Sequence, residues 1–225
     1  MIERQIKNIL SEYKVRKNVV TIITQVLVDK NDPAFIEPTK PVGRFYLKEE
    51  AELLTRAGGL IFKEDPRKRG WRRVVPSPKP IDIINRKIIR DLVKRGNIVI
   101  AAGGGGVPVY RDNKKNLVGV EAVIDKDLAS SLLASEIDAD AFFILTDVPN
   151  VYLNFHKPNQ VKLEKITVTE AEEYLKAGEF ADGSMGPKIL AAIQFVKNGG
   201  KETIITDSTQ LANPDTGTRI IGDNL

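Results

Sequence analysis

The chain has 225 residues, 42% hydrophobic and 28% charged, with a formal net charge of +4; this is a globular composition, long enough to bury one substantial core. It holds no cysteine and a single histidine, His156, which excludes disulfides, thiolate nucleophiles, zinc–thiolate sites and His-based triads. Lys, Arg, Asp, Glu, hydroxyls and backbone groups remain for chemistry, and that set suits phosphoryl transfer or plain binding.

In chain order, Ile2, Ile6, Ile9, Leu10 and Tyr13 recur at helical spacing and predict an amphipathic helix within the first 17 residues. The β-branched run from Val19 to Val28 predicts one buried strand. Pro33, Pro38 and Pro41 make residues 30–43 an ordered loop or extended excursion. A short helix over 48–57 ends at Gly58-Gly59, and strands near 60–63 and 71–75 follow. Residues 30–78 interrupt the strand–helix rhythm around them, so a small subdomain inserted in the main sheet is expected. The rhythm resumes with a helix over 81–95, a strand over 97–102 and the tract Gly103, Gly104, Gly105, Gly106. A hairpin over 107–111 and 117–123 turns at Asp112-Asn113. A helix over 127–137, a strand over 141–147, helices over 169–177 and 187–197 and a strand over 202–206 come next, with Thr169 and Glu172 fitting a capping box. A terminal strand over 218–221 is expected to close the sheet. Such alternation predicts an α/β fold, a mainly parallel sheet covered on both faces.

No apolar run approaches the roughly 18 residues of a membrane span, and the opening residues lack the apolar stretch of a signal peptide; a cytoplasmic protein is expected. Charge is concentrated between Lys63 and Lys79, where seven basic residues face two acidic ones around Trp71. Nucleic acid could meet such a patch. Pro66, Gly70, Pro76, Pro78 and Pro80 forbid a continuous recognition helix there, so a solvated lid that receives a small anion is the preferred reading.

The sequence AAGGGGVPV, directly after a strand, lets backbone N–H groups approach a phosphate closely. It is neither a Walker A loop nor a dinucleotide fingerprint, since no Gly-Lys-Ser/Thr and no helix follows. Asp125-Lys126-Asp127 and Gly183-Ser184-Met185-Gly186-Pro187-Lys188 each lead into a predicted helix, with Ser184 as candidate N-cap. A cation at a helix N-terminus is disfavoured by about 0.3–1 kcal/mol. Two of them, Lys126 and Lys188, therefore suggest a shared anion such as phosphate. Thr146-Asp147-Val148 ends the strand AFFIL, where a carboxylate could meet a ribose hydroxyl, a lysine or a metal. Met185 could lie on a base or fill core, and His156 is expected on the surface.

The series VDKNDPAF (28–35), PTKPVG (38–43), KRGWRRVVPSPKP (68–80), AAGGGGVPV (101–109), GVEAVIDKDLAS (119–130), ILTDV (144–148) and GSMGPK (183–188) resembles the carbamate kinases, in that family's order. The resemblance implies a three-layer αβα sandwich of the amino acid kinase fold, a homodimer, and reversible transfer between ATP and carbamate to give ADP and carbamoyl phosphate with Mg²⁺. It implies that Lys126 and Lys188 neutralise the transferred phosphoryl group, that Asp127 holds those lysines, and that Lys40 reaches in from the lid. Gly103, Gly104, Gly105 and Gly106 would line the phosphate and carbamate region, with Thr146, Asp147, Val148, Met185, Gly186 and Pro187 around the nucleotide. The lid motifs favour carbamate over the substrates of acetylglutamate-type kinases. The family's opening Gly-Gly-Asn loop and its His-Gly-Asn-Gly loop have no counterpart in this sequence. An unpaired sheet edge and an incomplete phosphoryl cradle are therefore expected, with a catalytically impaired nucleotide-binding fragment as the alternative reading.

Overall fold

The computed structural model describes residues 1–181, 183–213 and 215–224. The first elements are α1 (Ile2–Glu12), β1 (Val19–Thr21), β2 (Gln25–Leu27), β3 (Lys40–Tyr46), α2 (Lys48–Gly58), β4 (Phe62–Glu64) and β5 (Trp71–Val75). The middle is β6 (Asp82–Ile83), α3 (Arg86–Lys94), β7 (Ile98–Ile100), β8 (Val107–Arg111), β9 (Leu117–Gly119) and α4 (Lys126–Glu136). The remainder is β10 (Ala141–Thr146), β11 (Val151–Leu153), β12 (Val161–Leu163), β13 (Lys165–Thr167), α5 (Val168–Lys176), α6 (Met185–Lys197), β14 (Glu202–Asp207) and β15 (Thr218–Ile221).

Strands and helices alternate as the pattern predicts, and the fold is α/β. Parallel pairs run through both halves: β1 with β7, β2 with β8, β10 with β14 and β13 with β15. Antiparallel pairs add β6 beside β2, β9 beside β8 and the separate hairpin of β11 and β12. The single strand expected over 19–28 is instead β1 and β2, in different sheets. Its partners explain the break. The glycine tract separates β7 from β8, so the facing strand must step as well. Thr24 marks the step, donating to the Ile22 carbonyl at 3.1 Å and accepting from the Ala102 amide at 2.8 Å.

Three further differences from expectation have a visible cause. The helix expected over 81–95 begins only at Arg86, because Asp82 and Ile83 add an edge strand to β2. The capping box lies at Thr167 and Glu170, two residues before the predicted pair: the Glu170 amide donates to Thr167 Oγ1 at 3.2 Å and the Thr167 amide to Glu170 Oε2 at 2.8 Å. Strand β15 does not close the sheet; it lies between β14 and β13. Buried Thr218 fixes it there, accepting from the Val151 amide at 2.8 Å and donating to the Leu163 carbonyl at 2.6 Å.

Two cores form. One gathers Val26, Val28, Ile83, Ile89 and Ile124; the other gathers Phe142, Ile144, Ile189, Phe195, Ile205 and Ile220. Helix α4 joins them. Ala129 and Leu133 enter the first core and Ala134 the second, while Ser131 Oγ donates to the Ala191 carbonyl of α6 at 2.7 Å. The start of α4 is thus fixed from both sides. Strand β10 alternates as a one-sided strand does: Phe142 and Ile144 are buried while Phe143 and Leu145 are exposed. In α1, Ile2 and Ile9 are exposed, as is Tyr13 just beyond it, while Ile6 and Leu10 are half-buried.

Residues 40–75 form an antiparallel sheet of order β3-β5-β4. Ala51 of α2 and Val74 of β5 are buried in it, and Tyr46 meets Phe62 edge-on at 5.1 Å. The base of this excursion is tied by the Lys79 amide to Asp32 Oδ2 at 3.0 Å and by the Val123 amide to the Pro76 carbonyl at 2.9 Å. Among the described residues no helix is long and apolar enough to cross a membrane.

Candidate active site

The start of α4 is set by Asp125. Its Oδ1 accepts from the amides of Asp127 at 2.9 Å and Leu128 at 3.3 Å, satisfying two of the donors that a helix N-terminus leaves unpaired. Lys126 and Asp127 occupy the first helical positions. Helix α6 begins after Ser184, whose side chain makes no cap bond; in its first turn the Gly186 amide donates to the Ala181 carbonyl at 3.0 Å and Pro187 has no amide hydrogen. Pro187 and Lys188 lie in that opening turn.

The two helix starts meet on one carboxylate. Lys188 Nζ stands 2.9 Å from Asp127 Oδ2, and Lys126 Nζ stands 2.9 Å from both Asp127 oxygens. Lys40, from β3, pairs with Asp125 Oδ2. These side chains line one cleft of 390 Å³ together with Gly104, Ser184 and Pro187. Burial differs sharply within the cluster: the side chains of Lys188, Asp127 and Asp125 are 11%, 12% and 11% exposed, whereas Lys126 is 56% exposed. Lys126 can leave Asp127 for a ligand at little cost in solvation; Lys188 cannot.

Burial raises the Asp125 carboxyl, but the Lys40 ammonium and the Leu128 and Asp127 amides outweigh it and hold it below the ordinary aspartate value. Burial disfavours the Lys126 charge too, yet the Asp127 carboxylate holds that ammonium above the usual lysine value. Three ammonium groups therefore face two carboxylates, leaving the cleft positive at two helix N-termini. Such a site receives an anion.

Other predicted positions lie outside the lining of this cleft. Of the glycine tract only Gly104 borders it. Gly105 and Gly106 are required by packing: with φ of +132° and +87°, a Cβ would fall 2.2 Å from the Ile124 carbonyl oxygen and 2.6 Å from Val26 Cγ2. Around Gly103 and Gly104 there is open space. Thr146 ends β10, with Asp147 and Val148 directly after it, and Thr146 Oγ1 donates to Asp147 Oδ1 at 3.0 Å. Met185 packs half-buried against the second core, and Gly186 is buried, its Cβ position 3.2 Å from the Ala181 carbonyl. His156 is exposed, its ring 3.9 Å from that of Phe155. Asp125 is the residue that sequence reasoning quoted without a role. An aspartate one position before a helix signals its capping half, but nothing local signals its pairing with Lys40, 85 positions away. Among the described residues no group of three or more His, Asp or Glu could hold a metal ion.

An α/β fold with lysines gathered at two helix N-termini is matched by the model of the amino acid kinase family over residues 41–207, and the chain belongs to that family. Within it the similarity is to carbamate kinases. Those of Thermoplasma volcanium and Thermococcus kodakarensis are 53% identical over 197 residues and 50% identical over 224. These alignments cover 88% and 98% of this chain but 63% and 70% of the relatives. The solved carbamate kinase of Giardia lamblia bound to citric acid superposes with a TM-score of 0.90 at 46% identity, covering 98% of this chain and 70% of that one. The same enzyme bound to AMP-PNP gives 0.85 at 47% identity, covering 98% and 71%.

Proposed function

We propose that this chain carries the phosphoryl-transfer half of a carbamate kinase, interconverting ATP and carbamate with ADP and carbamoyl phosphate. The observation that carries the reading is the convergence of Lys126 and Lys188 on Asp127 at paired helix N-termini. Carbamate is already an anion, so its attacking oxygen needs no general base, and a cleft without histidine lacks nothing. The demand is for positioning and charge neutralisation. Lys188, held in place by Asp127, would stand against the phosphoryl group throughout. Lys126, more exposed, would move with the charge as it passes between the two oxygens. Lys40 would approach from the excursion over 30–78, read here as a lid, and the Gly103–Gly104 backbone would stand at the phosphate. Thr146, Asp147, Val148, Met185, Gly186 and Pro187 are assigned to the nucleotide by their match to the family's motifs; the Giardia lamblia relative with AMP-PNP supports nucleotide use. Mg²⁺ belongs to the same proposal through the family resemblance; Asp125 and Asp127 are engaged by lysines, so the cleft offers it no free carboxylate of that pair. A homodimer belongs to the same proposal on the family resemblance alone, and a cytoplasmic location is carried over as the expectation drawn from the sequence.

The share of the relatives that the chain spans favours a second reading, nucleotide binding without transfer. One experiment separates them: ATP formation from ADP, Mg²⁺ and carbamoyl phosphate by this chain, beside a chain of the relatives' full length, with ADP-dependent melting measured in parallel. ATP formed by this chain supports transfer. A melting shift without ATP supports binding alone, and neither signal refutes both readings.

A further inference from the structure

Asp125 uses its two oxygens for different purposes. Oδ1 caps α4, while Oδ2 takes the ammonium of Lys40. The capping oxygen belongs to a helix held between both cores; the ammonium belongs to β3, whose sheet is tied to the body at its base by Asp32 and Pro76. The pair therefore joins the tip of β3, at the inner edge of that excursion, to a helix start packed between both cores. Its members are 32% and 11% exposed, so it is partly shielded from solvent. Lys126 and Lys188 have Asp127 as their partner, whereas Lys40 pairs with Asp125.

We propose that Asp125 is a positioning residue, a latch that draws Lys40 and with it the 30–78 excursion onto the cleft. The latch stands on this geometry, and only its benefit to turnover rests on the kinase reading. An arriving anion would compete with Asp125 for Lys40, so the excursion can seat before the ligand is bound and hand the ammonium over without travelling far.

Asp125→Asn is the informative change, because asparagine caps a helix about as well as aspartate and lacks only the charge. The readout is acetylation by limiting acetic anhydride, mapped by mass spectrometry, with exposed Lys176 as internal reference. Lys40 labelling should rise about fivefold, the order expected for losing a partly shielded pair, while Lys188 labelling stays unchanged. Limited proteolysis within 30–78 should quicken by a similar factor in Asp125→Asn and in Lys40→Gln, and no further in the double variant. Unchanged Lys40 labelling in a folded Asp125→Asn variant overturns the latch. If that variant does not fold, unchanged proteolysis of Lys40→Gln overturns it equally. Neither readout needs turnover, so a chain that makes no ATP leaves this test intact.

Discussion

Deleting the Asp127 carboxylate should do far more damage to the fold than neutralising Lys188, although both should abolish transfer. In Asp127→Ala the Lys188 ammonium keeps its place at 11% side-chain exposure but loses the oxygen 2.9 Å away. It also sits in the first turn of α6, where the helix field opposes a cation. Lys126, at 56% exposure, can turn to water and offers little compensation. Removing one member of a buried pair costs about 3–5 kcal/mol. Lys188→Met conserves volume and leaves Asp127 to Lys126, so its cost should stay below about 1.5 kcal/mol. For a domain of this size 1 kcal/mol moves Tm by roughly 2–4 °C. Asp127→Ala should thus melt roughly 6–20 °C lower than the parent, and Lys188→Met within about 6 °C of it. Thermal unfolding by circular dichroism reads the difference and coupled ATP formation reads the activity. Equal melting temperatures would mean that water reaches Lys188 freely and that Asp127 is not what compensates its charge.

The Asp125 carboxyl is held below its ordinary value, so it should contribute stability above the unfolded pKa near 4 and lose that contribution as pH falls through the folded value. The stability gap between the parent and Asp125→Asn should therefore narrow on acidification below about pH 4, and urea titrations along a pH series would show a constant gap if Lys40 and the amides do not act on it. Gly105→Ala should unfold or strongly destabilise the chain because its Cβ meets the Ile124 carbonyl, whereas Gly104→Ala, in open space, should leave Tm unchanged; comparable melting of the two would contradict the packing role of Gly105. Thr167→Ala removes the observed capping box and should cost about 1 kcal/mol without altering ATP formation, while Thr169→Ala at the predicted box should cost less.

The alternation of strands and helices was readable because it rests on apolar periodicity, a local property. So were the helix starts near 126 and 185, since aspartate, glycine and proline punctuate the chain there for backbone reasons. What escaped depends on partners distant in sequence. The run over 19–28 has uniform strand propensity, and only the glycine tract in its neighbour strand breaks it. The pieces Val151–Leu153, Val161–Leu163 and Lys165–Thr167 are three residues each, too short for any period to register, yet Thr218 pins two of them through its hydroxyl. Thr167 and Thr169 each have an acidic residue three positions on, and sequence could not choose between them. The choice falls to tertiary structure, because the Thr169 amide is taken by Asp223 at 3.0 Å. The glycine tract read as one loop, but it divides into two residues facing open space and two filling a tight contact.

The same limit applies to the cleft. Lys40, Lys126 and Lys188 come from three separate regions, and each alone looks like one of many surface lysines. Together they stand against two carboxylates, a formal balance of +1. The N-terminal ends of α4 and α6 add to that positive field, although Asp125 already caps the first of them. A phosphoryl group at neutral pH carries about −1.5 to −2. The charge of the cleft thus matches in sign the ligand proposed for it. That match explains why two ammonium groups are tolerated at helix ends that ordinarily repel cations. Asp125 and Asp127 compensate part of that charge, and they leave an uncompensated ammonium that an incoming phosphoryl group would offset.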